Sequence, residues 1–216
     1  MNIQELDIQF GNEKLTLTNQ RVIYWRRLNT LILSDLHLGK AAHFRKNGIP
    51  LPAEISQQDL YRLEQLLTHY QPQELIIVGD LIHAGENSEV SLFRLLTNKF
   101  INTKVTLIKG NHDRISLKNF NNMGISEVHE SHVVDHITFS HQCLHGKGIY
   151  CISGHLHPGV NIMLPAKKVV RFPCFVVYKN DIILPAFSRF TGLDTKSLTG
   201  KPDCFALYEE GIFKVS

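Results

Sequence analysis

Lys104-Val105-Thr106-Leu107-Ile108-Lys109-Gly110-Asn111-His112-Asp113 is the stretch from which the fold and the chemistry of this chain are read. Its first six residues are rich in β-branched and apolar side chains and predict a strand. Gly110 ends that strand and allows a sharp turn. The next three residues offer a neutral oxygen, an imidazole acid or base, and a carboxylate that can orient the imidazole. Asn, Asp and Gly also favour turns for local reasons alone. What lifts Gly110–Asp113 above a polar turn is the company it keeps: Asp35-Leu36-His37, Gly79-Asp80, His141 and Gly154-His155-Leu156-His157.

Each of those blocks follows a short apolar run. Thr30-Leu31-Ile32-Leu33 precedes Asp35 and suits a strand buried on both faces. In an extended chain residues i and i+2 project to one side, so Asp35 and His37 are expected to reach one metal ion together. Leu75-Ile76-Ile77-Val78 leads to Gly79-Asp80, and His83 just beyond reads as a supporting or capping residue rather than a ligand. Between these strands helices are expected. One is short, from Lys40 to Asn47, ended by Gly48, Pro50 and Pro52. A second is capped by Ser56 with Leu60, Leu63, Leu66, Leu67 and Tyr70 on one face. A third is capped by Asn87 or Ser88 with Val90, Phe93, Leu96 and Phe100 inward. Strand–helix–strand–helix–strand implies a parallel sheet with right-handed crossovers, and such sheets bind ligands past the strands' C-terminal ends.

Outside this core the pattern is all strand. Residues 3–10 and 13–18 alternate across Gly11-Asn12 as a hairpin, and 22–25 reads as a further strand. After the central stretch, strands are expected at 137–140, 148–153, 168–171, 174–178, 181–184, 204–208 and 212–215, forming a second, largely antiparallel sheet packed on the first. No linker or repeat divides the chain, so residues 1–216 read as one domain.

The blocks together supply oxygen ligands from Asp35, Asp80 and Asn111 and imidazoles from His37, His141, His155 and His157. That set suits two adjacent divalent ions sharing one carboxylate. Mixed nitrogen and oxygen donors favour Mn, Fe, Zn, Co or Ni over Ca or Mg. Two ions about 3.5–4 Å apart clamp the attacking and leaving oxygens of a phosphoryl transfer and turn a bridging water into hydroxide near neutral pH.

Bulk composition agrees with such an enzyme. The chain has 216 residues, 43% hydrophobic and 20% charged, as in ordinary globular proteins. A formal charge of +3 fits an anionic substrate but is too small to argue for nucleic acid. No apolar run approaches the roughly 18 residues of a membrane span, and Met1-Asn2-Ile3-Gln4-Glu5 lacks the character of a signal peptide. Cys143, Cys151, Cys174 and Cys204 show no CxxC spacing and read as free thiols. A cytoplasmic protein is expected.

The order D-x-H, G-D, G-N-H-D, H, G-H-x-H from residue 34 to 158 resembles the calcineurin-like metallophosphoesterases. The resemblance implies a four-layer αββα sandwich, two packed mixed β-sheets flanked by helices. It implies a first metal on Asp35, His37 and His157, a second on Asn111, His141 and His155, and Asp80 as the bridge, with Mn foremost among the candidate ions. His112 would stabilise the transition state and protonate the leaving group, with Asp113 holding it. A narrower resemblance rests on Gly39–Arg45, Gly48-Ile49-Pro50, Arg171-Phe172-Pro173-Cys174-Phe175 and Leu184-Pro185-Ala186-Phe187. These are similar to the bacterial DNA ligase-associated metallophosphoesterases. That likeness implies a phosphodiesterase or endonuclease in DNA repair, acting on single-stranded or damaged DNA and linked to a ligase, a helicase and a nuclease. Two segments depart from that family: Gln142-Cys143 stands where Glu-Pro is usual, and Ser188-Arg189-Phe190-Thr191-Gly192 where a glycine-rich turn is usual. Neither is read as touching a ligand.

Further substrate contacts are expected from Lys40, His43 and Arg45 after the first block, and from Arg171. The alternative substrate class is a nucleotide, cyclic nucleotide or pyrophosphate-linked small molecule, which would need a closed pocket rather than an open groove. A non-enzymatic module on this fold would have lost ligands or His112, and all are present.

Overall fold

The computed structural model describes residues 1–48, 54–83, 87–142 and 149–215. Pro50, Pro52, Cys143 and Gly148, which figured in the expectations above, lie outside them. Seven strands form the first sheet in chain order: β1 (Glu5–Phe10), β2 (Glu13–Thr18), β3 (Ile23–Trp25), β4 (Thr30–Leu33), β5 (Glu74–Val78), β6 (Lys104–Ile108) and β7 (Glu127–His129). The first four run as an antiparallel meander. From β4 onward the pairing is parallel, Leu31 facing Leu75 and Leu75 facing Val105. Helices α1 (Lys40–Lys46) and α2 (Glu54–Tyr70) lie between β4 and β5, α3 (Ser88–Lys99) between β5 and β6, and α4 (Leu117–Asn122) between β6 and β7. Ser56 therefore falls inside the first turn of α2 rather than at its cap. Asn87 does cap α3, its side chain accepting from the N–H groups of Glu89 and Val90 at 2.9 and 3.2 Å.

The alternation along the central strands explains the layering. Leu31, Leu33, Leu75, Ile77, Val105 and Leu107 face the helices and pack on Leu60, Leu63, Leu66, Phe93 and Leu96. Ile32, Ile76, Val78 and Ile108 face the other way, against Phe139, Ile152, Phe175 and Ile182 of the second sheet. Both faces of these strands are buried, which is why they read as unbroken apolar runs.

The second sheet holds β8 (Ser131–Val134), β9 (Ile137–Ser140), β10 (Tyr150–Ser153), β12 (Lys168–Val177), β13 (Asp181–Ile183), β14 (Asp203–Tyr208) and β15 (Gly211–Val215). Their order is β15-β14-β12-β13-β10-β9-β8, while β11 (Gly159–Leu164) pairs with β12 as a projecting ribbon. The sheet is more mixed than expected, because β9, β10 and β13 run parallel. The strands expected at 168–171 and 174–178 are one strand that changes partner at Pro173. Residues up to Pro173 pair with β11, and those from Cys174 pair with β13 and β14. The N–H that proline lacks thus falls between two ladders. Two mixed sheets flanked by helices are present as read from the chain, and the described α-helices all precede residue 123. The outer face of the second sheet, around Cys174, Val176 and Ile183, is covered by Leu156, Val160 and Leu198. No helix among the described residues is long and apolar enough to cross a membrane. Cys174 and Cys204 are free thiols, the first buried, and Cys151 is buried.

Candidate metal centre

The C-terminal ends of β4, β5 and β6 and the segments after β9 and β10 converge on one edge of the two sheets. The expected ligands meet there in two groups, Asp35 with His37 and His157, and Asp80 with His141 and His155. In the first, His37 Nε2 lies 3.1 Å from His157 Nε2, and Asp35 Oδ1 lies 3.3 Å from the same His157 nitrogen. In the second, His141 Nε2 lies 3.1 Å from His155 Nδ1, 3.1 Å from Asn111 Oδ1 and 3.5 Å from Asp80 Oδ2. Asp35, His37, Asp80 and His141 are buried at the floor, whereas Asn111, His112 and His155 are exposed at the rim.

This arrangement fits a pair of cations. Donors sharing one ion at about 2.1 Å sit about 3.0 Å apart when they subtend a right angle, close to the spacing of both imidazole pairs. Asp35 Oδ1 is buried, accepts no hydrogen bond among the described residues and lies 3.3 Å from His157 Nε2. Burial alone favours the neutral form of a carboxyl. Burial does press the Asp80 carboxyl upward, but hydrogen bonds from His141 and from the His112 N–H at 3.0 Å outweigh it and hold Asp80 well below the usual carboxylate range. His37 is pushed down to about 3, chiefly by burial, and His155 downward for the same reason, so both rings offer free lone pairs. His141 goes the other way. Burial presses its pKa down, but the bond to Asp80 and the charge of Asp35 raise it.

The backbone reaches this geometry by an unexpected route. Asp35 and His37 are not extended. They have φ of 54° and 52°, and Asp80, His155 and His157 share the left-handed conformation at 46°, 68° and 50°. For residues with a Cβ this costs about 1–2 kcal/mol each. The surrounding chain enforces it. Asp35 and His37 donate from their N–H groups to the carbonyls of Gly79 and Asp80 at 3.1 and 2.9 Å, which zips the two loops together beyond the strand ends. On the other side, Phe187 and Ser188 donate to the carbonyls of Ser34 and Asp35 at 2.7 and 3.2 Å.

Glycine has a second role here. A Cβ on Gly79 would lie 1.8 Å from His141 Nδ1, one on Gly110 would lie 2.1 Å from Asp80 Oδ1, and one on Gly154 would lie 2.6 Å from Asp35 Oδ2. Each motif glycine leaves room for a ligand from another block. Gly110 opens a turn as expected, the Asp113 N–H donating to its carbonyl at 3.3 Å, but has no positive φ; what requires glycine there is this close approach.

Asp113 also departs from expectation. Its carboxylate does not bond the His112 ring but accepts from the N–H groups of Gly110 at 2.9 Å, Ile82 at 2.9 Å and Leu81 at 3.3 Å. It ties the loop after β6 to the loop after β5 and so positions His112 from below. Burial pushes its pKa upward, against those hydrogen bonds. The His112 ring instead lies near His83, with centroids 4.9 Å apart, and near His37 at 6.0 Å.

Of the expected substrate contacts, Lys40 is half-buried and senses Asp35 and Asp80; its pKa is lowered by burial, against their pull. His43 packs edge-on to His83 with centroids 5.5 Å apart. Arg45 is half-buried, its Nη1 without a hydrogen-bond partner among the described residues. Arg171 stands exposed on β12 opposite Asn161 and forms no hydrogen bond or ion pair with the ligand set among the described residues. The two departing segments do reach the ligands. Gln142 Nε2 lies 3.2 Å from His155 Nε2, and Ser188 holds Asp35 through the backbone as above. Sequence reasoning missed the support behind Ser188. Arg21 Nη1 donates to the carbonyls of Ala186 and Ser188 at 3.1 and 2.8 Å, and buried Arg62 donates to Phe187 O. A buried arginine leaves no periodic signal; the carbonyl that Arg62 holds, 125 residues away, reveals its task.

The calcineurin-like phosphoesterase family matches residues 28–184, which contain all of these ligands. The crystal structure of Pseudomonas putida nuclease MPE superposes with a TM-score of 0.80 at 27% identity, covering 94% of this chain and 96% of that one. YfcE, a phosphoesterase from E. coli, is a more distant likeness at TM-score 0.43 and 14% identity over 82% of this chain and 86% of that one. No curated protein matches the chain.

Proposed function

This chain belongs to the calcineurin-like phosphoesterase family, and we propose that within it the protein is a dinuclear phosphodiesterase that cuts DNA. That it is a metal-dependent phosphoesterase follows from the family and from its likeness to a nuclease. The observation that carries the reading is the pair of acid–imidazole groups side by side at the sheet edge, with Asn111, His112 and His155 open to solvent above them. An exposed rim over a buried floor suits a polymer laid across the site better than a small molecule enclosed in it. The resemblance to Pseudomonas putida nuclease MPE over nearly the whole chain supports DNA as the polymer. A role in DNA repair is part of the same proposal.

Asp35, His37 and His157 would hold one ion, and Asn111, His141 and His155 the other, with Asp80 shared; the mixed donor set suits Mn, Fe, Zn, Co or Ni, and the family resemblance puts Mn first. When bound, such a pair supplies Lewis-acid polarisation of the phosphoryl group and a nucleophilic hydroxide at neutral pH. The chain's own residues do the rest. The Asp80 carboxylate fixes the His112 backbone, and Asp113 fixes the loop beneath it, so the imidazole is held at the exposed rim, where it would meet a leaving oxygen. An alkoxide leaving group needs a proton, and His112 is the acid placed to deliver it. Lys40, half-buried beside Asp35 and Asp80, adds positive charge where the diester's negative charge must enter.

The test is purified protein with Mn²⁺ on closed circular single-stranded DNA, with bis-p-nitrophenyl phosphate as a small diester and His112→Ala alongside. Wild type should linearise the circle. His112→Ala should keep its metal and lose about 10²–10⁴-fold in turnover. Hydrolysis of the small diester with an intact circle would leave the metal chemistry standing and remove the DNA assignment.

A further inference from the structure

Beside the metal centre, on the far side of the segment Ala186–Phe190, lies a cavity of about 240 Å³ lined by Arg21, Arg62, Arg189, Gln20, Tyr208 and Glu209, among others. It opens on the same sheet edge. Arg21 precedes Ile23, which pairs with Ile32, so Arg21 stands level with the end of β4, where Asp35 begins the first ligand block. The Ala186–Ser188 backbone is the wall between the two sites, held by Arg21 and Arg62 from the cavity side and bonded to Ser34 and Asp35 on the other.

The charge in this cavity is not balanced from within. Asp59 is buried and already engaged. It pairs with Arg62 at 3.1 Å and accepts from the Arg189 N–H at 3.1 Å. Glu209 is exposed at the mouth, so three guanidiniums meet two carboxylates. Arg62, only 6% exposed, keeps a buried Nε with no partner among the described residues. A buried donor left unpaired is costly, and a guanidinium pairs best with a planar or tetrahedral oxyanion. Burial lowers the pKa of the two enclosed arginines, and the neighbouring guanidiniums add to it. Burial first, and then Arg21 and Arg189, hold Arg62 down at about 9 against the pull of Asp59, and burial with Arg189 brings Arg21 to about 10. Arg189 is exposed, Arg21 half-buried and Arg62 buried, so the three form a graded path from solvent to floor.

We propose that the Arg21–Arg62–Arg189 cavity is a phosphate subsite that grips a backbone phosphate of the polynucleotide strand flanking the scissile bond. The assignment rests on the reading of the protein as a phosphodiesterase acting on DNA. The gripped phosphate relieves the repulsion among the guanidiniums and anchors the strand one segment away from Asp35. It also explains why a Ser-Arg-Phe-Thr-Gly stretch stands at 188–192, since Arg189 supplies the arm at the mouth.

The experiment measures binding of a labelled deoxythymidine oligonucleotide to the Mn²⁺-loaded protein in a His112→Ala background, over a range of salt. Arg189→Ala and Arg189→Glu are compared with Lys214→Ala, a surface control. Arg189 is exposed, so its replacement leaves the buried Arg62–Asp59 pair in place. Loss of one phosphate contact should lower the slope of log affinity against log salt by about 0.7, with a several-fold loss of affinity at low salt. Lys214→Ala should bind as the background does. Unchanged affinity and slope in both Arg189 variants would overturn the subsite. Inorganic phosphate is titrated in parallel by thermal shift. Should the oligonucleotide fail to bind the background protein at all, the DNA reading falls. Phosphate stabilisation that Arg189→Ala abolishes would then show a subsite for a free phosphate group and overturn the strand as its source. No stabilisation in that case would overturn the subsite altogether.

Discussion

Two kinds of acid–imidazole group stand among the described residues, and they are built in opposite ways. The candidate metal centre draws Asp35, His37, Asp80, His141, His155 and His157 from segments as distant in the chain as those after β4 and β10, buries its floor, and holds five of these residues in left-handed backbone. Glu127, His129 and His132 also lie within ligand distance of one another, yet they come from one six-residue stretch where β7 turns into β8. There the rings of His129 and His132 stack face to face at 4.5 Å, Glu127 is paired with Lys104 at 2.9 Å, and all three are half-buried. A stacked pair points its lone pairs alongside each other rather than at a common ion, and the lysine already neutralises the acid. Residue types in proximity do not make a metal site. Convergent lone pairs, a buried carboxylate oxygen with no hydrogen bond among the described residues and a strained backbone that holds them do.

The contrast is broken most directly at Asp80. Asp80→Ala should lose metal from the centre and lower phosphodiester turnover by about 10³-fold or more, as removal of several kcal/mol of charge stabilisation requires. Metal content by elemental analysis and initial rates read both. A fully active variant would end the dinuclear assignment. Next is Gly79→Ala, which places a Cβ on His141 at a position with φ of 81°. Strain and overpacking together should cost about 3 kcal/mol of stability, and metal stoichiometry should drop as His141 is displaced. Denaturant melts and metal analysis test this, and a variant as stable as wild type would show that the close approach is not needed.

A pH measurement sharpens the same comparison. His37 is held at about 3 in the folded, metal-free protein and titrates near 6.5 when unfolded. Between those values the unfolded chain binds a proton that the folded chain refuses. Stability of the metal-stripped protein should therefore fall on acidification from about pH 7 to about pH 5, at up to about 1.4 kcal/mol per pH unit. His37→Asn should flatten that slope. His132, also lowered by burial but far less enclosed, should change it less when replaced. The smallest effect belongs to Glu127→Ala, expected to leave metal content and turnover at wild-type levels. A loss of bound metal there would mean that the edge group is a site after all.

Much of the architecture was legible because its signals are local. β4 and β6 are near-continuous apolar runs bounded by turn residues, the face of α2 repeats every three or four residues, and Asn87 caps α3 by its own side chain. Elements without such a signal were missed. Helix α4 is too short to show a period, β7 and β8 carry His, Glu and Ser in place of an apolar pattern, and β11 hides behind the His157-Pro158 block. The split placed at Pro173 failed because a proline can stay in a strand where the pairing partner changes. At the site, the acids and imidazoles that the fold brings together were readable in the chain as candidate ligands. The partner of Asp113 was not, because a neighbouring histidine looks like its natural target until the N–H groups of Leu81 and Ile82 arrive from another loop.

By itself, then, the sequence determined which strands would be buried on both faces, that their ends carry acids and imidazoles in a phosphoesterase order, and that a glycine precedes several of them. Only the tertiary structure decided that those glycines make room for one another's ligands and that the ligand backbones turn left-handed. It also decided that Asp113 holds a loop rather than a ring, and that Arg21 and Arg62 brace the segment behind Asp35. The physical reason is range. Periodicity and turn chemistry act over a few residues and are written along the chain, whereas clashes, zipped loops and buried arginine pairs join residues that become neighbours only after the two sheets have packed.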